Sequence, residues 1–253
     1  MKELKAREVW KETFSILIHK PIVLIPILIV LTFELLLGIS TRFFIVLPEL
    51  PERITSIKDL IPFLAPLLPA LIISFVLVYL IAYPIFDGMY PLMIKNIMEN
   101  KEIELKTAFM SAAKRAPTLI AAGILLSLII LAGFLFFIVP GMIFCIWYFY
   151  TTPAIMLENK GVIDAMKVSK AFASDKKFKT FLFFLLPFLF LTLSEFFVRL
   201  ITAALLVQSG DAMYNILPLV AMLRTAINFV INLIFYSWLS VISAFVYVKW
   251  QEE

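Results

Sequence analysis

Apolar runs long enough to cross a bilayer divide this chain from end to end. A helix needs about 20 mainly apolar residues to span a hydrocarbon core about 30 Å thick. Six segments reach or approach that length: residues 22–47, 61–86, 117–139, 142–157, 181–207 and 223–248. Closed β-barrels are the only other way to satisfy backbone polar groups in lipid. They would alternate with period two, and stretches such as 120–130 do not. The chain is 62% hydrophobic and only 16% charged, whereas a soluble domain carries about 25% charged residues. A water-soluble enzyme and a disordered chain are both excluded. The expected fold is all-α: one integral membrane domain over 1–253, a polytopic bundle of six transmembrane helices with interfacial amphipathic helices, the first in the arm 1–20.

The fourth segment is short, and Pro140-Gly141 before it has the chemistry of a tight turn, with proline presetting φ and glycine accepting a positive one. Segments three and four therefore read as a hairpin. The competing reading is one long kinked helix, which would invert everything downstream.

Basic residues set the orientation. Lys2, Lys5, Arg7, Lys11 and Lys20 precede the first span; Lys95, Lys101, Lys106, Lys114 and Arg115 lie between the second and third. Lys160, Lys167, Lys170, Lys176, Lys177 and Lys179 lie between the fourth and fifth, whereas the loop after the first span has only Arg53 and Lys58. Cytoplasmic loops are enriched in Lys and Arg, so both termini are expected in the cytoplasm of a cell-membrane protein. The net charge of +4 then reports contact with membrane lipids and their anionic headgroups at the cytoplasmic face, not nucleic acid. No cleavable signal is expected, because the first run is longer than a signal core and lacks a small-residue cleavage pattern.

The two long basic connections share a pattern. Glu99-Asn100-Lys101 and Glu158-Asn159-Lys160 each follow a proline, Pro91 and Pro153, and each leads through a mixed stretch into the next span. Val162, Ala165, Met166, Ser169 and Phe172 form one helical stripe, and Trp10, Phe14 and Leu17 form another in the N-terminal arm. Such helices suit the headgroup plane. Three units are expected, each an interfacial helix followed by a hairpin of spans; the plainer reading is that any basic inner loop is amphipathic.

The run Pro153-Ala154-Ile155-Met156-Leu157-Glu158-Asn159-Lys160-Gly161, followed by Ala165 and Ser169, resembles the membrane domain attached to some bacterial glycerophosphodiester phosphodiesterases, a family with many standalone multi-span members. The similarity is clearest over residues 140–195. It implies a membrane domain without an assigned reaction. The hydrolase of the fused proteins is a separate soluble domain, for which this chain has no room, so no catalytic residue carries over.

Charges inside spans cost about 2.5–3.5 kcal/mol at a helix centre. Glu34 sits in a first span of 14 Ile, Val, Leu or Phe residues between positions 22 and 41, so it should face protein or water. Arg224, Asn228, Asn232, Tyr236, Ser240, Ser243 and Tyr247 form a polar stripe along the sixth span. Thr192, Glu195, Arg199 and Thr202 form a shorter one on the fifth, with Glu195 and Arg199 in the favourable i,i+4 order. At 1.5 Å per residue Arg42, Arg199 and Arg224 fall about 30–40 Å from the inner surface, and Glu34 and Glu195 about 20–24 Å. Spans one, five and six are expected to turn these faces together, making an outward-open cleft for a polar or zwitterionic ligand. The ligand-binding candidates are Glu34, Arg42, Glu195, Arg199, Arg224, Asn228 and Asn232. The competing reading makes the same groups interhelical glue, at about 0.6 kcal/mol per hydrogen bond.

Catalytic chemistry is sparse. His19 and Cys145 are the single histidine and cysteine, too few for a metal cluster or a triad. Asp87-Gly88 matches the first two residues of an alcohol phosphatidyltransferase motif whose later positions are absent. No Walker loop, Gly-x-Ser-x-Gly elbow or HExxH occurs. No catalytic residue, metal or cofactor is expected. The leading expectation is a non-enzymatic membrane protein that binds or moves a lipid or amphiphile, or scaffolds partners. The alternative is a transporter or channel subunit with a solute path along the sixth span; a lipid-modifying enzyme comes third. A protein partner or homo-oligomer stays open.

Overall fold

The computed structural model describes residues 5–44, 61, 65, 67–174, 176–208 and 213–251, the side chains of 40–44, 206, 208 and 213–215 excepted. Among these the chain is helical, with no strand. In order come α1 (Ala6–His19), a 3₁₀ turn (Pro21–Leu24), α2 (Ile25–Phe44), α3 (Leu67–Phe75), a π-helical stretch (Val76–Ala82) and α4 (Tyr83–Asp87). Then follow α5 (Tyr90–Met98), α6 (Leu105–Lys114), α7 (Ala116–Phe136), α8 (Ile138–Tyr148), α9 (Thr151–Glu158), α10 (Val162–Ser174), α11 (Lys177–Gln208) and α12 (Met213–Gln251). Six stretches of the described residues are long and apolar enough to cross a membrane: Pro21–Ile39, Leu67–Met98, Ala116–Phe136, Ile138–Glu158, Lys177–Leu205 and Ile216–Gln251. The protein is a multi-pass helical bundle. The expected tail of the first span at 45–47 and most of the loop carrying Arg53 and Lys58 lie outside the described residues.

The last two helices are long. At 1.5 Å per residue the 39 residues of α12 cover about 58 Å, well beyond a hydrocarbon core of about 30 Å. The excess is used at the end of the bundle that carries the lysine-rich connections, here the basic end. There α1, α6 and α10 wrap the span ends. Tyr90, Tyr150, Phe183 and Tyr247 are fully buried among them. The far end is the reverse: Leu135 and Phe136 are 77% and 76% exposed, as suits side chains that meet lipid.

The amphipathic helices bury one stripe each. In α10 it is Ala165, Met166, Ser169 and Ala173, with Val162 and Phe172 packed at its edge, close to expectation. In α1 it is Val9, Thr13 and Leu17; Phe14 is 41% exposed. The shift from the expected Trp10, Phe14 and Leu17 has a cause. Thr13 donates its hydroxyl to the Val9 carbonyl at 2.7 Å and accepts the Trp238 indole N–H at 3.0 Å. A satisfied hydroxyl can be buried, and it displaces the more apolar Phe14 toward lipid.

The repeated Glu-Asn-Lys pattern is structural. Asn100 and Asn159, both at φ 55°, are the two non-glycine residues with positive φ among those described. Asparagine tolerates the left-handed region, where it stops helices. After α5, the Lys101 amide donates to the Asn96 carbonyl at 2.8 Å and the Asn100 amide to Ile97 at 3.1 Å, the paired bonds of a Schellman cap. Asn159 ends α9 in the same conformation, and its Oδ1 accepts Arg115 Nη2 at 2.5 Å, which ties one unit to the other.

Spans three and four form a hairpin, and the single kinked helix does not occur. The reversal is at Phe137, extended at φ −164° and ψ 156°, and not at Pro140-Gly141. Pro140 falls in the first turn of α8, where a missing N–H leaves no helical bond unmade. Gly141 serves close approach instead, facing Gly133 and Phe134 of α7. The fourth span thus begins four residues earlier than expected and runs through α8 and α9 as Ile138–Glu158.

Candidate functional site

The polar stripe of the sixth span divides in two. Its basic half is paired with spans two and four, not with one and five. Tyr90 donates to Ser237 at 3.1 Å, Ser240 donates to Asp87 at 2.5 Å and Ser243 donates to the Phe149 carbonyl at 2.7 Å. Tyr247 donates to Glu158, which also accepts Gln251 Nε2 at 2.7 Å. The expected orientation is corrected for this half. A periodic stripe fixes which residues share a face; α2 and α11 supply too few complementary groups near the basic end, whereas α4, α5 and α9 bring Asp87, Tyr90 and Glu158.

The far half behaves otherwise. Glu34 of span one and Glu195 of span five both lie within electrostatic reach of the Tyr236 hydroxyl on span six. Glu34 accepts the Tyr79 hydroxyl of span two at 2.7 Å. Tyr79 sits in the π-helical stretch, and sequence reasoning missed it. Pro84 follows five residues later and cannot donate to the Leu80 carbonyl, and the Tyr83 amide instead reaches the Val78 carbonyl, five residues back. Such π turns recur at functional sites. The signal was an in-span proline just after paired tyrosines. Tyr83 packs edge-on against Tyr236 at 5.9 Å.

The remaining candidates are spread around this centre. Glu195 pairs with Arg199 at 3.5 Å, the side chains 38% and 69% exposed. Asn228 is half-buried, and its Oδ1 is enclosed without a partner. Asn232 is half-buried and Arg224 is exposed. The Arg42 side chain lies outside the described residues, so the expected ring of three arginines rests on Arg199 and Arg224. Acceptors are in excess: no cation pairs with Glu34 among the described residues, and the Asn228 carbonyl has no donor. A site so built favours a ligand rich in N–H donors and positive charge, held by charge-assisted hydrogen bonds and by tyrosine faces. Among the described residues no group of three His, Cys, Asp or Glu side chains is placed to hold a metal.

A second node, also missed, is Asp87. Its carboxylate accepts Ser240 at 2.5 Å, and no cation among the described residues pairs with it. A lone Asp in an apolar span was the available signal. Asp87→Leu leaves the Ser240 hydroxyl without its acceptor, which costs about 1–3 kcal/mol. Unfolding in detergent should show this loss, with Asp87→Asn recovering most of it; equal losses for the two variants would mean that Asp87 only fills space.

Comparison with protein-family models, with curated proteins and with solved structures returned no match. The functional reading therefore rests on the geometry.

Proposed function

We propose that this chain is a non-enzymatic protein of the cell membrane, both termini cytoplasmic, that binds an amphiphile with a cationic head group among spans one, two, five and six. The observation that carries the reading is a surplus of acceptors on these spans: Glu34 held by Tyr79, Glu195 shared with one exposed arginine, and an Asn228 carbonyl without a donor. The orientation follows from the lysines gathered at the basic end. A membrane domain without a reaction of its own is also what the resemblance to the phosphodiesterase-linked family implies. The basic half of the sixth-span stripe is closed by hydrogen bonds to Asp87, the Phe149 carbonyl and Glu158. That supports binding over conduction along the helix.

Decylammonium tests this, with decanol as its uncharged counterpart. The purified protein should bind decylammonium well above decanol, and Glu34→Gln and Glu195→Gln should each weaken it about tenfold. That is the equivalent of one charge-assisted hydrogen bond at about 1.4 kcal/mol. Equal binding of the two probes, or variants that bind like the parent, would remove the site. Solute uptake into liposomes that is lost in Asn228→Ala would favour the transporter instead.

A further inference from the structure

The bond from the Tyr79 hydroxyl to Glu34, at 2.7 Å, crosses from span two to span one. It answers the carboxylate in geometry and not in charge. An ionised carboxylate offers about four lone-pair sites, a single hydroxyl fills one of them, and no cation among the described residues pairs with Glu34. Hydrogen bonds to an ionised donor are about twice as strong as neutral ones. A cationic head group therefore outcompetes the phenol for the oxygen that the phenol holds. The surroundings let Tyr79 give way. Its side chain is 42% exposed, and the ring beside it, Phe75 at 5.6 Å, is exposed as well, so little packing is lost when the phenol swings. Tyr79 also lies inside the π-helical stretch Val76–Ala82, a winding that is rare in helices and gathers at functional sites.

We infer that Tyr79 is an autoinhibitory latch on the amphiphile site: its hydroxyl occupies Glu34 while the site is unfilled, and the cationic head group displaces it. The inference rests on the reading proposed above and adds how that site is regulated. The latch keeps a carboxylate inside an apolar span answered when no ligand is present, which avoids the cost of leaving it bare. It also sets a threshold. A neutral amphiphile with a hydroxyl head gains no more from Glu34 than Tyr79 already supplies, so the latch selects against decanol and yields to decylammonium. Displacement unties span one from span two at this level, which couples filling of the site to a change in how the two spans meet.

Two measurements on the full purified chain test the latch apart from the site it guards. The first needs no amphiphile. Dicyclohexylcarbodiimide, an apolar reagent, modifies carboxyl groups within its reach, and labelling of Glu34 is read by mass spectrometry with Glu34→Gln as the blank. Tyr79→Phe keeps the ring and removes the hydroxyl. Labelling of Glu34 should rise about fivefold in that variant, the factor that one neutral hydrogen bond is worth. The second is decylammonium binding, which should tighten in Tyr79→Phe by the same factor of about five. A tyrosine that served only as part of the binding surface would make the variant bind more weakly. Unchanged labelling overturns the latch. So does a parent chain that binds decylammonium with no gain in Tyr79→Phe, and that result leaves the amphiphile reading standing. Absence of binding in both chains overturns the two together.

Discussion

Tyr150→Ala should lose about 3–5 kcal/mol of stability, the range for removing a buried aromatic ring, and Tyr150→Phe only about 1 kcal/mol for its hydroxyl bond. Tyr150 is fully buried at the junction of spans four, five and six. Its ring lies 5.1 Å from Phe172, 5.8 Å from Trp250 and 6.3 Å from Tyr247, and its hydroxyl meets Thr180 at 3.2 Å. Removing it opens a cavity bounded by rigid rings that cannot collapse into it. Lys176 sits 3.9 Å over the Trp250 ring, so displacement of that ring also weakens a cation–π contact. Denaturation in mixed detergent micelles measures the difference between the two variants. If they lose the same stability, the hydroxyl and not the ring cluster holds this end together.

The spans were legible because the cost of unpaired backbone in lipid leaves so few solutions that length and apolarity suffice. The amphipathic helices were legible for the same reason, and the Glu-Asn-Lys repeat proved to be a pair of left-handed asparagine caps. Where the reading slipped, the deciding groups lay outside the segment being read. The face of α1 moved by one position because Trp238, 225 residues away from Thr13 in sequence, supplies a donor that makes burial of Thr13 tolerable. The hairpin reversal moved from Pro140-Gly141 to Phe137 because glycine was read for its φ and is used for close approach. The sixth-span stripe was recognised, but a stripe does not name its partners. Asp87, Tyr90 and Glu158 had to be brought to it by spans two and four. Glu34 was legible as a carboxylate inside an apolar span, whereas its partner Tyr79 enters through a π turn that no residue period announces.

The hairpin of spans three and four offers a sign test. A Cβ built on Gly133 would stand 2.9 Å from the Gly141 Cα and 3.0 Å from its amide nitrogen. Those are backbone atoms, so α7 and α8 must move apart. Gly133→Ala should therefore destabilise by about 1–3 kcal/mol through overpacking. A Cβ on Gly141 would stand 2.5 Å from the Phe134 ring, a nominally worse clash. The obstacle there is a side chain that is 44% exposed and free to swing toward lipid. Alanine is favoured over glycine inside a helix by about 1 kcal/mol, and that gain offsets the cost of moving the ring. Gly141→Ala should be close to neutral, and Phe134→Leu beside it should make it stabilising. The ranking by mobility thus reverses the ranking by distance. Thermal unfolding of the two single variants decides between them: a Gly141→Ala loss as large as that of Gly133→Ala would mean that Phe134 is fixed in place and that the hairpin tip is packed on its exposed side as well.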